Sequence, residues 1–313
     1  MTFGQLRTFV EVAHQGSIRA AAAVLAVTEP SVSAAISSLQ GELGVALVER
    51  QGRGIRLTPA GEELARYAAQ ILGLRDEAGR RIREKAGQSA QLRISAVTTA
   101  GEYLLAPILK LFRSRHRQVQ LWMEVGNQAS LFESLTSHQA EIGIGGRPPR
   151  NGDISGEPFL DNRLVVVAST EHPFARKGWF DPSELSGETW LLRESGSGTR
   201  HSTEEFFNES GIESAQVMTL GSNGAVKQAA VLGLGITLIS SHAVAVELAS
   251  GALVQLRVKG TPLKRSWHVL YRSRTSLTPS GTEFLKLLRS PASRKAIKEW
   301  FGPGARFGTE EAP

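Results

Sequence analysis

The chain has 313 residues, of which 41% are hydrophobic and 21% are charged, as in a soluble globular protein long enough for two or three compact units. It contains no cysteine, which excludes disulfides, thiolate catalysis and cysteine-ligated zinc. No run approaches the roughly 18 apolar residues of a membrane span. The first residues lack the pattern of a signal sequence, so we expect a cytoplasmic protein without a membrane partner.

The net charge of +6 is compatible with a polyanionic partner but does not demonstrate one. Residues 1–88 hold 11 lysines and arginines against nine acidic residues. The basic excess is therefore not concentrated at the N-terminal end, and any attraction to DNA there must come from the placement of single charges.

The start of the chain predicts three helices. The first covers residues 3–14, and the stretch Gly16–Leu39 predicts two more, joined by a tight turn, with Ser17 as an N-cap. The last of these has an apolar face of Val32, Ile36 and Leu39. Its opposite face is small, polar and nearly uncharged, which is typical of a helix-turn-helix that enters the DNA major groove. On this local pattern alone, an ordinary helical hairpin inside a core explains the stretch equally well.

The following stretch, ERQGRGIRLTPAG, predicts a β-hairpin wing with arginines near its tip. Arginines beside a reading helix contact phosphates or enter the minor groove. A solvated turn is the alternative, and its position directly after a helix-turn-helix candidate makes it the weaker one. The predicted DNA contacts are Ser17, Arg19, Thr28, Glu29, Pro30, Ser31, Ser33, Ala34, Ser37, Arg50, Arg53 and Arg56.

A long helix is predicted from Thr58-Pro59 to about Lys85, with Thr58 as its N-cap. An apolar stripe continues along it for more than five turns: Leu64, Tyr67, Ala68, Ile71, Leu72, Leu74, Ala78 and Ile82. Such a stripe favours a linker and dimerisation helix that pairs with a second copy. Packing of the stripe on its own domain is the alternative that stays open.

The first 60 residues resemble the DNA-binding domain of LysR-type transcriptional regulators. The matching residues stand at fixed spacing: Leu6, Phe9, Val12, Ala13, Gly16-Ser17, Ala21-Ala22, Leu25, Pro30-Ser31-Val32-Ser33, Ile36, Leu39, Leu43-Gly44, Leu47, Arg50, Arg53, Leu57-Thr58 and Gly61. Three residues depart from the family pattern, which usually has Gln at Glu29, Glu at Gln40 and Phe at Val48. A carboxylate cannot donate to a purine acceptor, although it can accept from cytosine N4. The family's usual base contact is therefore not assumed at Glu29.

Strands and helices alternate in residues 90–290, which predicts largely parallel sheets covered by helices. The predicted strands are 92–97, 119–125, 141–144, 164–168, 189–192, 216–220, 236–239 and 267–271. The predicted helices are 103–115, 129–137, 199–210, 225–232 and 280–288. Two sheets fit better than one, because Gly145-Gly146-Arg147-Pro148-Pro149 interrupts the middle of the region.

This pattern matches the effector domain of the same family, which resembles type 2 periplasmic binding proteins. The expected architecture is an N-terminal all-α winged helix-turn-helix domain, a long linker helix and a C-terminal α/β effector domain of two lobes. The boundaries are 1–58, 59–88 and 89–290, with lobe I at about 90–160 and 265–290, lobe II at about 161–264, and a mobile tail at 291–313. Residues 292–301 have the pattern of a short helix within that tail.

A cleft between two α/β lobes is a natural small-molecule site. Three strand-to-helix junctions combine small residues with hydroxyls, amides and free helix N–H groups, which are the parts of an anion site, although such loops are often mere turns. The loop SGSGTR (195–200) is the strongest, and it is similar to loops in the branch of the family that senses metabolites of carbon dioxide fixation or sulfur assimilation. The predicted effector contacts are Thr98, Thr99, Ala100, Gln128, Arg147, Ser195, Gly196, Ser197, Gly198, Thr199, Arg200, Ser222 and Asn223.

The sequence favours a DNA-binding transcriptional regulator over an enzyme. Gly196-Ser197-Gly198 lacks the first glycine of a nucleophile elbow, and the seven histidines are scattered without metal-ligand spacing, so no catalytic residue, metal or cofactor is predicted. The expected partners are operator DNA, a small anionic effector and a second copy through the 58–85 helix. The resemblance also implies a homotetramer, and contact with RNA polymerase is left open. The alternatives are an architectural DNA binder that senses nothing, and a solute-binding protein or enzyme with an incidental helical hairpin.

Overall fold

The computed structural model describes residues 1–52, 54–150, 152–212 and 216–301. They form two compact units. The first is Met1–Gln88 together with Thr136–Gln139, and the second is Ser89–Leu135 together with the residues from Ala140 onward.

The first unit is mostly helical. Its described elements are α1 (Phe3–Gln15), α2 (Ile18–Leu25), α3 (Glu29–Leu43), the strands β1 (Val48–Gln51) and β2 (Gly54–Leu57), and α4 (Pro59–Lys85). Side-chain oxygens cap all four of these helices, because Thr2, Ser17, Thr28 and Thr58 accept hydrogen bonds from the backbone N–H groups of Gln5, Ala20, Ser31 and Gly61. A small core joins α1, α2 and α3: Phe9, Val12, Ala21, Ala22, Val32, Ile36, Leu39 and Leu47.

The apolar stripe of α4 divides into two sets of residues. Leu64, Ala65 and Ala68 face the core of the first unit, where α4 packs along α1. A second set stays exposed, and its side chains are Tyr67, Ile71, Leu74 and Ile82. Packing on the helix's own unit therefore accounts for only part of the stripe.

The start of α4 lies unusually close to the chain between α3 and β1. The hydroxyl of Thr58 donates to the carbonyl of Ala46 (2.8 Å), and the N–H of Thr58 donates to the carbonyl of Leu47 (3.0 Å). A Cβ atom on Gly61 would lie 1.9 Å from the carbonyl oxygen of Leu47. Only glycine allows this approach without movement of the backbone.

The second unit alternates strands and helices. Its described elements are β3 (Gln91–Val97), α5 (Thr98–Tyr103), α6 (Leu105–Arg115), β4 (Gln120–Gly126), α7 (Gln128–Thr136), β5 (Ile142–Gly145), β6 (Ile154–Ser169), β7 (Trp190–Arg193), α8 (Gly198–Ser210), β8 (Val217–Leu220), α9 (Asn223–Val231), β9 (Thr237–Ser240), α10 (Ala245–Ser250), β10 (Leu253–Gln255), β11 (Leu263–Arg272), α11 (Pro279–Arg289) and α12 (Pro291–Phe301). Two short 3₁₀ helices lie at Pro173–Arg176 and Pro182–Leu185.

The sheets are more mixed than the sequence pattern predicts. One sheet has the order β10-β6-β11-β5-β3-β4, with β9 also paired to β6, and a separate two-stranded sheet contains β7 and β8. The pairs β3–β4, β3–β5 and β7–β8 are parallel, whereas β11 is antiparallel to both β5 and β6. The difference arises from β6, whose 16 residues far exceed the predicted strand 164–168. Gly156 and Pro158 concealed its first half, because both residues are depleted in strands.

Separate hydrophobic cores identify two lobes in the second unit. The lobe I core contains Ile94, Phe112, Ile144, Phe284 and Leu288 among its buried residues. The lobe II cores are built from β6, β7 and β9 with α8 on one side and α9 on the other. We refer to these as lobe I and lobe II below.

The segment after residue 290 differs from the predicted mobile tail. Pro291–Phe301 forms α12, and Ile297 is buried in the lobe I core. Burial of the Ile297 side chain stabilises this helix, whereas the sequence pattern predicts only a short helix within a mobile tail. The predicted tail beyond it, residues 302–313, lies outside the described residues.

Among the described residues, no helix by itself has both the length and the apolar composition to cross a membrane. The bent pair formed by α2 and α3 meets the same test on length and composition only.

Replacement of Gly61 by alanine should destabilise the first unit, because the added methyl group collides with the backbone of Leu47 rather than with a flexible side chain. We expect Gly61→Ala to lower the free energy of unfolding by about 1–3 kcal/mol. Helical circular dichroism during urea titration measures this. All five tryptophans lie at residue 122 or later, so tryptophan fluorescence follows the second unit separately and should not change.

Gly41→Ala is the matched control. Gly41 lies within α3 with nothing within 4 Å of an added Cβ, so the substitution should be neutral or stabilise the helix by up to about 1 kcal/mol. Equal stability of the two variants would contradict the close approach at Gly61.

Candidate functional site

The helix pair α2–α3 has the geometry of a helix-turn-helix. The axes of the two helices are bent by 110° at a short break, and Ala26 in the break adopts a left-handed conformation with φ of 53°. The buried face of α3 carries Val32, Ile36 and Leu39. Its exposed face carries Ser31, Ala34, Ser37 and Ser38. This face offers hydroxyl and methyl groups to a partner and no cation.

Gln40 fixes the chain that leaves α3. Its side-chain oxygen accepts hydrogen bonds from the N–H groups of Leu47 (2.8 Å) and Val48 (3.4 Å). A glutamate oxygen accepts in the same way, so the departure from the family pattern at this position preserves the interaction. Glu29 is exposed in the first turn of α3, where its negative charge is favourable to the helix dipole.

The wing is anchored to the turn between α1 and α2. The N–H of Ile55 donates to the carbonyl of Gly16 (2.9 Å), and β1 and β2 pair in register with Glu49 opposite Arg56. The Arg56 Nε atom donates to the Glu49 carboxylate (2.8 Å), whereas Arg50 is exposed. The wing therefore holds the charge of Arg56 beside an acid and leaves that of Arg50 available.

The structure places most predicted DNA contacts on the surface. Nine are exposed: Arg19, Thr28, Glu29, Pro30, Ser31, Ala34, Ser37, Arg50 and Arg56. Ser17 and Ser33 are half-buried, and the Ser17 hydroxyl is used as a helix cap. Arg53 lies outside the described residues.

The second unit contains a cavity of about 550 Å³. Three strand-to-helix junctions meet at its wall, namely β3–α5, β4–α7 and β7–α8. Its apolar lining comes from Val97, Phe132, Leu164 and Trp267. The junction β8–α9, which was expected to supply a third ligand-binding loop, does not reach the wall.

The cavity wall includes seven of the predicted effector residues: Thr98, Thr99, Gln128, Arg147, Ser197, Gly198 and Thr199. The other six lie elsewhere in the unit: Ala100, Ser195, Gly196, Arg200, Ser222 and Asn223. Ala100 is buried in the lobe I core, Ser195 and Gly196 are exposed, and the Ser222 hydroxyl caps α9. Arg200 turns away to bind the Glu204 carboxylate (2.7 Å) and the Arg193 carbonyl (3.2 Å), so it does not add its charge to the cavity as expected.

The cavity wall also includes a buried arginine, Arg193, that sequence reasoning missed. Arg193 ends β7, is 4% exposed, and donates through Nε (2.7 Å) and Nη2 (2.8 Å) to the carboxylate of Glu194. Its Nη1 donates to the side-chain oxygen of Asn223 (2.5 Å). Partial burial raises the pKa of Glu194, but the hydrogen bonds and charge of Arg193 outweigh this and hold that pKa below its usual value.

The same network joins the two lobes. Asn223 of lobe II donates through Nδ2 to the hydroxyl of Thr99 in lobe I (3.1 Å), and Arg193 Nη2 lies 3.5 Å from the Thr98 hydroxyl. Thr98 in turn donates to the carbonyl of Gly126 (3.0 Å). A ligand that engages Thr98 or Arg193 therefore contacts the groups that connect the lobes.

Other charged groups around the cavity are partly compensated. Arg265 lies 3.2 Å from Glu205, and His201 lies 3.4 Å from the same carboxylate. Arg147 is an exposed residue of the cavity lining. The side-chain amide of Gln128 holds its backbone, because it donates to the carbonyl of Arg147 (3.4 Å) and accepts from the N–H of Gly146 (3.2 Å). Arg265 was missed because nothing in its local sequence marks it and it is 65 positions from the SGSGTR loop along the chain. His201 directly follows that loop but was considered only as one of seven scattered histidines. No group of metal-ligating side chains occurs within the described part of the chain.

Two family models match the chain. The model described as the bacterial regulatory helix-turn-helix protein, lysR family, matches residues 3–62, and the model described as the LysR substrate binding domain matches residues 85–292. The chain is 36% identical over 298 residues to the RuBisCO operon transcriptional regulator of Allochromatium vinosum, covering 93% of this chain and 96% of the relative. It is 35% identical over 301 residues to the HTH-type transcriptional activator CmpR of Synechocystis sp., covering 96% and 99%.

Solved structures agree with these matches. The regulatory domain of CcmR from Synechocystis PCC6803, in complex with 2-PG, has 32% sequence identity and a TM-score of 0.61, covering 64% of this chain and 95% of that chain. CbnR, a LysR family transcriptional regulator, has the same fold at a TM-score of 0.67 and 22% identity, covering 95% and 100%.

Replacement of Asn223 by leucine should destabilise the second unit, because Asn223 is fully buried and bonded to both Arg193 and Thr99. Without the amide, a buried guanidinium nitrogen and a hydroxyl lose their partners, which costs about 1–3 kcal/mol. Urea unfolding followed by tryptophan fluorescence measures the loss. Asn208→Leu, on the exposed side of α8, is the control and should change stability by less than about 0.5 kcal/mol; equal effects of the two substitutions would refute the role of the network.

Proposed function

Because this chain belongs to the LysR family of transcriptional regulators, we propose that a small anion bound in the cavity of its second unit controls how its first unit binds DNA. The chain is a DNA-binding regulator by family. No catalytic step is assigned to it, and a protein that acts on the chromosome is expected in the cytoplasm. The identity of the ligand and the contacting residues are the parts that we propose.

The observation that carries the proposal is the junction of β7 with α8 at the cavity wall. The first turn of α8 presents backbone N–H groups that have no partner within the helix, and the positive end of the helix dipole lies there. Ser197 and Thr199 add hydroxyls, and both belong to the cavity wall. These donors form a site for a phosphate, sulfate or carboxylate group.

The lining indicates a ligand with an apolar part as well as a charged one. Phe132 and Trp267 line the same cavity as the α8 terminus, and its volume of about 550 Å³ lies in the range of small-molecule sites. The regulatory domain of Synechocystis CcmR was solved with 2-PG. We therefore propose 2-PG as one of the compounds to test on this chain, beside inorganic phosphate and sulfate.

The effect of the ligand would pass through the contact between the lobes. Thr98 lines the cavity and lies beside Arg193, and Asn223 binds Thr99. A ligand that bonds better to one arrangement of these groups shifts the population of lobe arrangements. DNA binding and ligand binding would then be coupled in both directions.

Thr199→Val tests the anion site, because it removes a hydroxyl while keeping the side-chain volume. We expect the chain to be stabilised by one of the three anions, by about 2.7 kcal/mol when the anion is at 100 times its Kd. The variant should bind that anion roughly 10–100-fold more weakly, as expected for loss of a hydrogen bond to a charged group. Thermal shift titration measures both values.

Ser195→Ala is the matched control, since Ser195 lies in the same loop but off the cavity wall. Both variants should bind DNA normally in the absence of the anion. Equal titrations for Thr199→Val and the unaltered chain would remove the α8 terminus from the site. Absence of stabilisation by any small anion would favour the architectural DNA binder.

We also propose that two copies pair through the exposed apolar residues of α4. Tyr67, Ile71, Leu74 and Ile82 are spaced by four, three and eight positions, so they lie on one face, and they are 49%, 37%, 53% and 69% exposed. A continuous apolar face of this kind is typical of an interhelical contact. A twofold pair would place two copies of α3 in successive major grooves of a pseudo-palindromic operator. Assembly of such dimers into a tetramer and contact with RNA polymerase remain predictions from the family resemblance.

The double substitution Leu74→Gln and Ile82→Gln should weaken this dimer. Each residue loses about 1.5–3 kcal/mol of burial, so the dimer dissociation constant should rise at least about 100-fold. Sedimentation equilibrium measures the change, and operator binding should become less cooperative. Arg83→Gln, on the same helix but off the stripe, is the control; an unchanged mass of the double variant would exclude α4 as the contact.

A further inference from the structure

The chain's basic excess is confined to three helices of lobe I. Residues 105–117 and 279–301, which contain α6, α11 and α12, carry nine lysines and arginines against two acids. The rest of the chain carries 27 against 28. The excess of basic residues is therefore concentrated on this part of the second unit and not in residues 1–88.

The three helices lie side by side on the same core. The buried residues Phe112, Phe284 and Ile297 belong to α6, α11 and α12 respectively, and all three are part of the lobe I core. α12 packs against both α6 and α11. Their outer surfaces therefore form one continuous surface of lobe I.

Six cations on this surface are exposed and form no ion pair within the described residues. They are Lys110, Arg113, Arg115, Arg117, Arg294 and Lys298, which we call the basic face. The other three cations have acids beside them: Lys286 bonds to Glu283 (2.8 Å), Arg289 to Glu157 (3.0 Å), and Lys295 lies 3.8 Å from Glu299. Six unpaired charges on one surface repel one another, so a polyanionic partner relieves that repulsion.

The arrangement of the basic face fits a duplex better than a small anion. Lys110 and Arg113 lie three positions apart on α6, and Arg117 follows two positions after the last residue of the helix, so the three cations form a row along and just past the C-terminal end of α6. Arg294 and Lys298, four positions apart, form a second row on the packed helix α12, and packed helices lie about 8–10 Å apart. The two helix axes are thus separated by a distance comparable to the width of the B-DNA major groove, about 12 Å. None of these five cations belongs to the lining of the described cavity.

An acidic protein partner is less well matched. Protein interfaces depend on buried apolar and aromatic anchors at their centre. On α6, α11 and α12, Trp300 is the one large hydrophobic residue that is exposed, and it lies at the end of α12. A surface of isolated cations with polar residues between them is instead typical of phosphate-backbone binding.

We infer that the basic face of lobe I binds the phosphate backbone of duplex DNA independently of sequence, as a second DNA-binding surface besides the helix-turn-helix. Its contribution would come from release of condensed counterions, at a slope of about 0.9 in log K against log salt for each phosphate neutralised. It would raise the affinity for any duplex equally and leave the choice of operator to the first unit.

The test is a variant of the full chain with four charges removed: Lys110→Gln, Arg113→Gln, Arg294→Gln and Lys298→Gln. Its binding to a random-sequence duplex of several helical turns is measured by fluorescence anisotropy between about 50 and 200 mM salt. We expect the salt slope to fall by about three to four and the affinity to fall at low salt.

The control, matched in number and exposure, removes four charges from lobe II: Arg176→Gln, Lys177→Gln, Arg257→Gln and Lys259→Gln, of which Lys177 and Lys259 pair with Glu184 and Asp181. Its salt slope should stay close to that of the unaltered chain. Tryptophan fluorescence on urea unfolding, and the shift caused by the cavity anion, should be unchanged in both variants. These two readouts separate this inference from the proposal for the cavity.

Equal slopes for the two quadruple variants would overturn the inference. So would a basic-face variant that binds DNA with the normal slope but has lost binding to purified RNA polymerase, because that result would assign the face to an acidic protein surface.

Discussion

The antiparallel pairing of β6 with β11 is the interaction on which the second unit depends. The two strands pair at ten positions, from Leu263 opposite Leu164 to Arg272 opposite Ile154, and they pass from one lobe to the other. On lobe II, β9 and β10 attach to β6, whereas β5 attaches to β11 on lobe I. The register shifts between Trp267 and His268, where β6 contributes Phe159 as an extra residue. Bulges redirect neighbouring side chains. This shift therefore helps to explain why the Trp267 indole lines the cavity while the Phe159 ring packs in the lobe I core.

The buried charge of Arg193 limits what the cavity can attract. An arginine out of water requires a carboxylate and well-placed acceptors, and Glu194 and Asn223 supply them. A guanidinium already neutralised in this way offers hydrogen-bond donors and geometry, but little net charge. Arg265 shares Glu205 in the same manner. The charge of a bound anion would therefore be balanced chiefly by Arg147 and the N–H groups of α8, and this makes the α8 terminus the most informative place to alter.

Sequence reasoning succeeded where a local rule determines the structure. Ser17 and Thr58 were identified as helix caps from hydroxyls that precede apolar periodicity, and their bonds to Ala20 and Gly61 follow from that chemistry alone. It failed where the structure depends on distant residues. The first half of β6 is a strand because β11, a hundred residues later, pairs with it, although its own glycine and proline argue against a strand. Arg193 appeared to be an ordinary strand residue, because its burial and its partner Asn223 become visible only once the lobes are folded.

The placement of basic residues implies that base recognition and electrostatic attraction to DNA come from different parts of the chain. The exposed face of α3 carries serines and an alanine, and residues 28–49 contain no lysine or arginine. Bidentate arginine contacts to guanine are therefore unavailable from that helix. If α3 enters the major groove, base selection depends on hydroxyls, methyl contacts, Glu29 and the shape of the duplex. Contacts of this kind discriminate between sequences but contribute little long-range attraction, which has to come from cations elsewhere on the chain. If lobe I supplies part of that attraction, added salt will weaken binding to operator and random DNA by similar factors, and the ratio between the two affinities will change much less than either affinity.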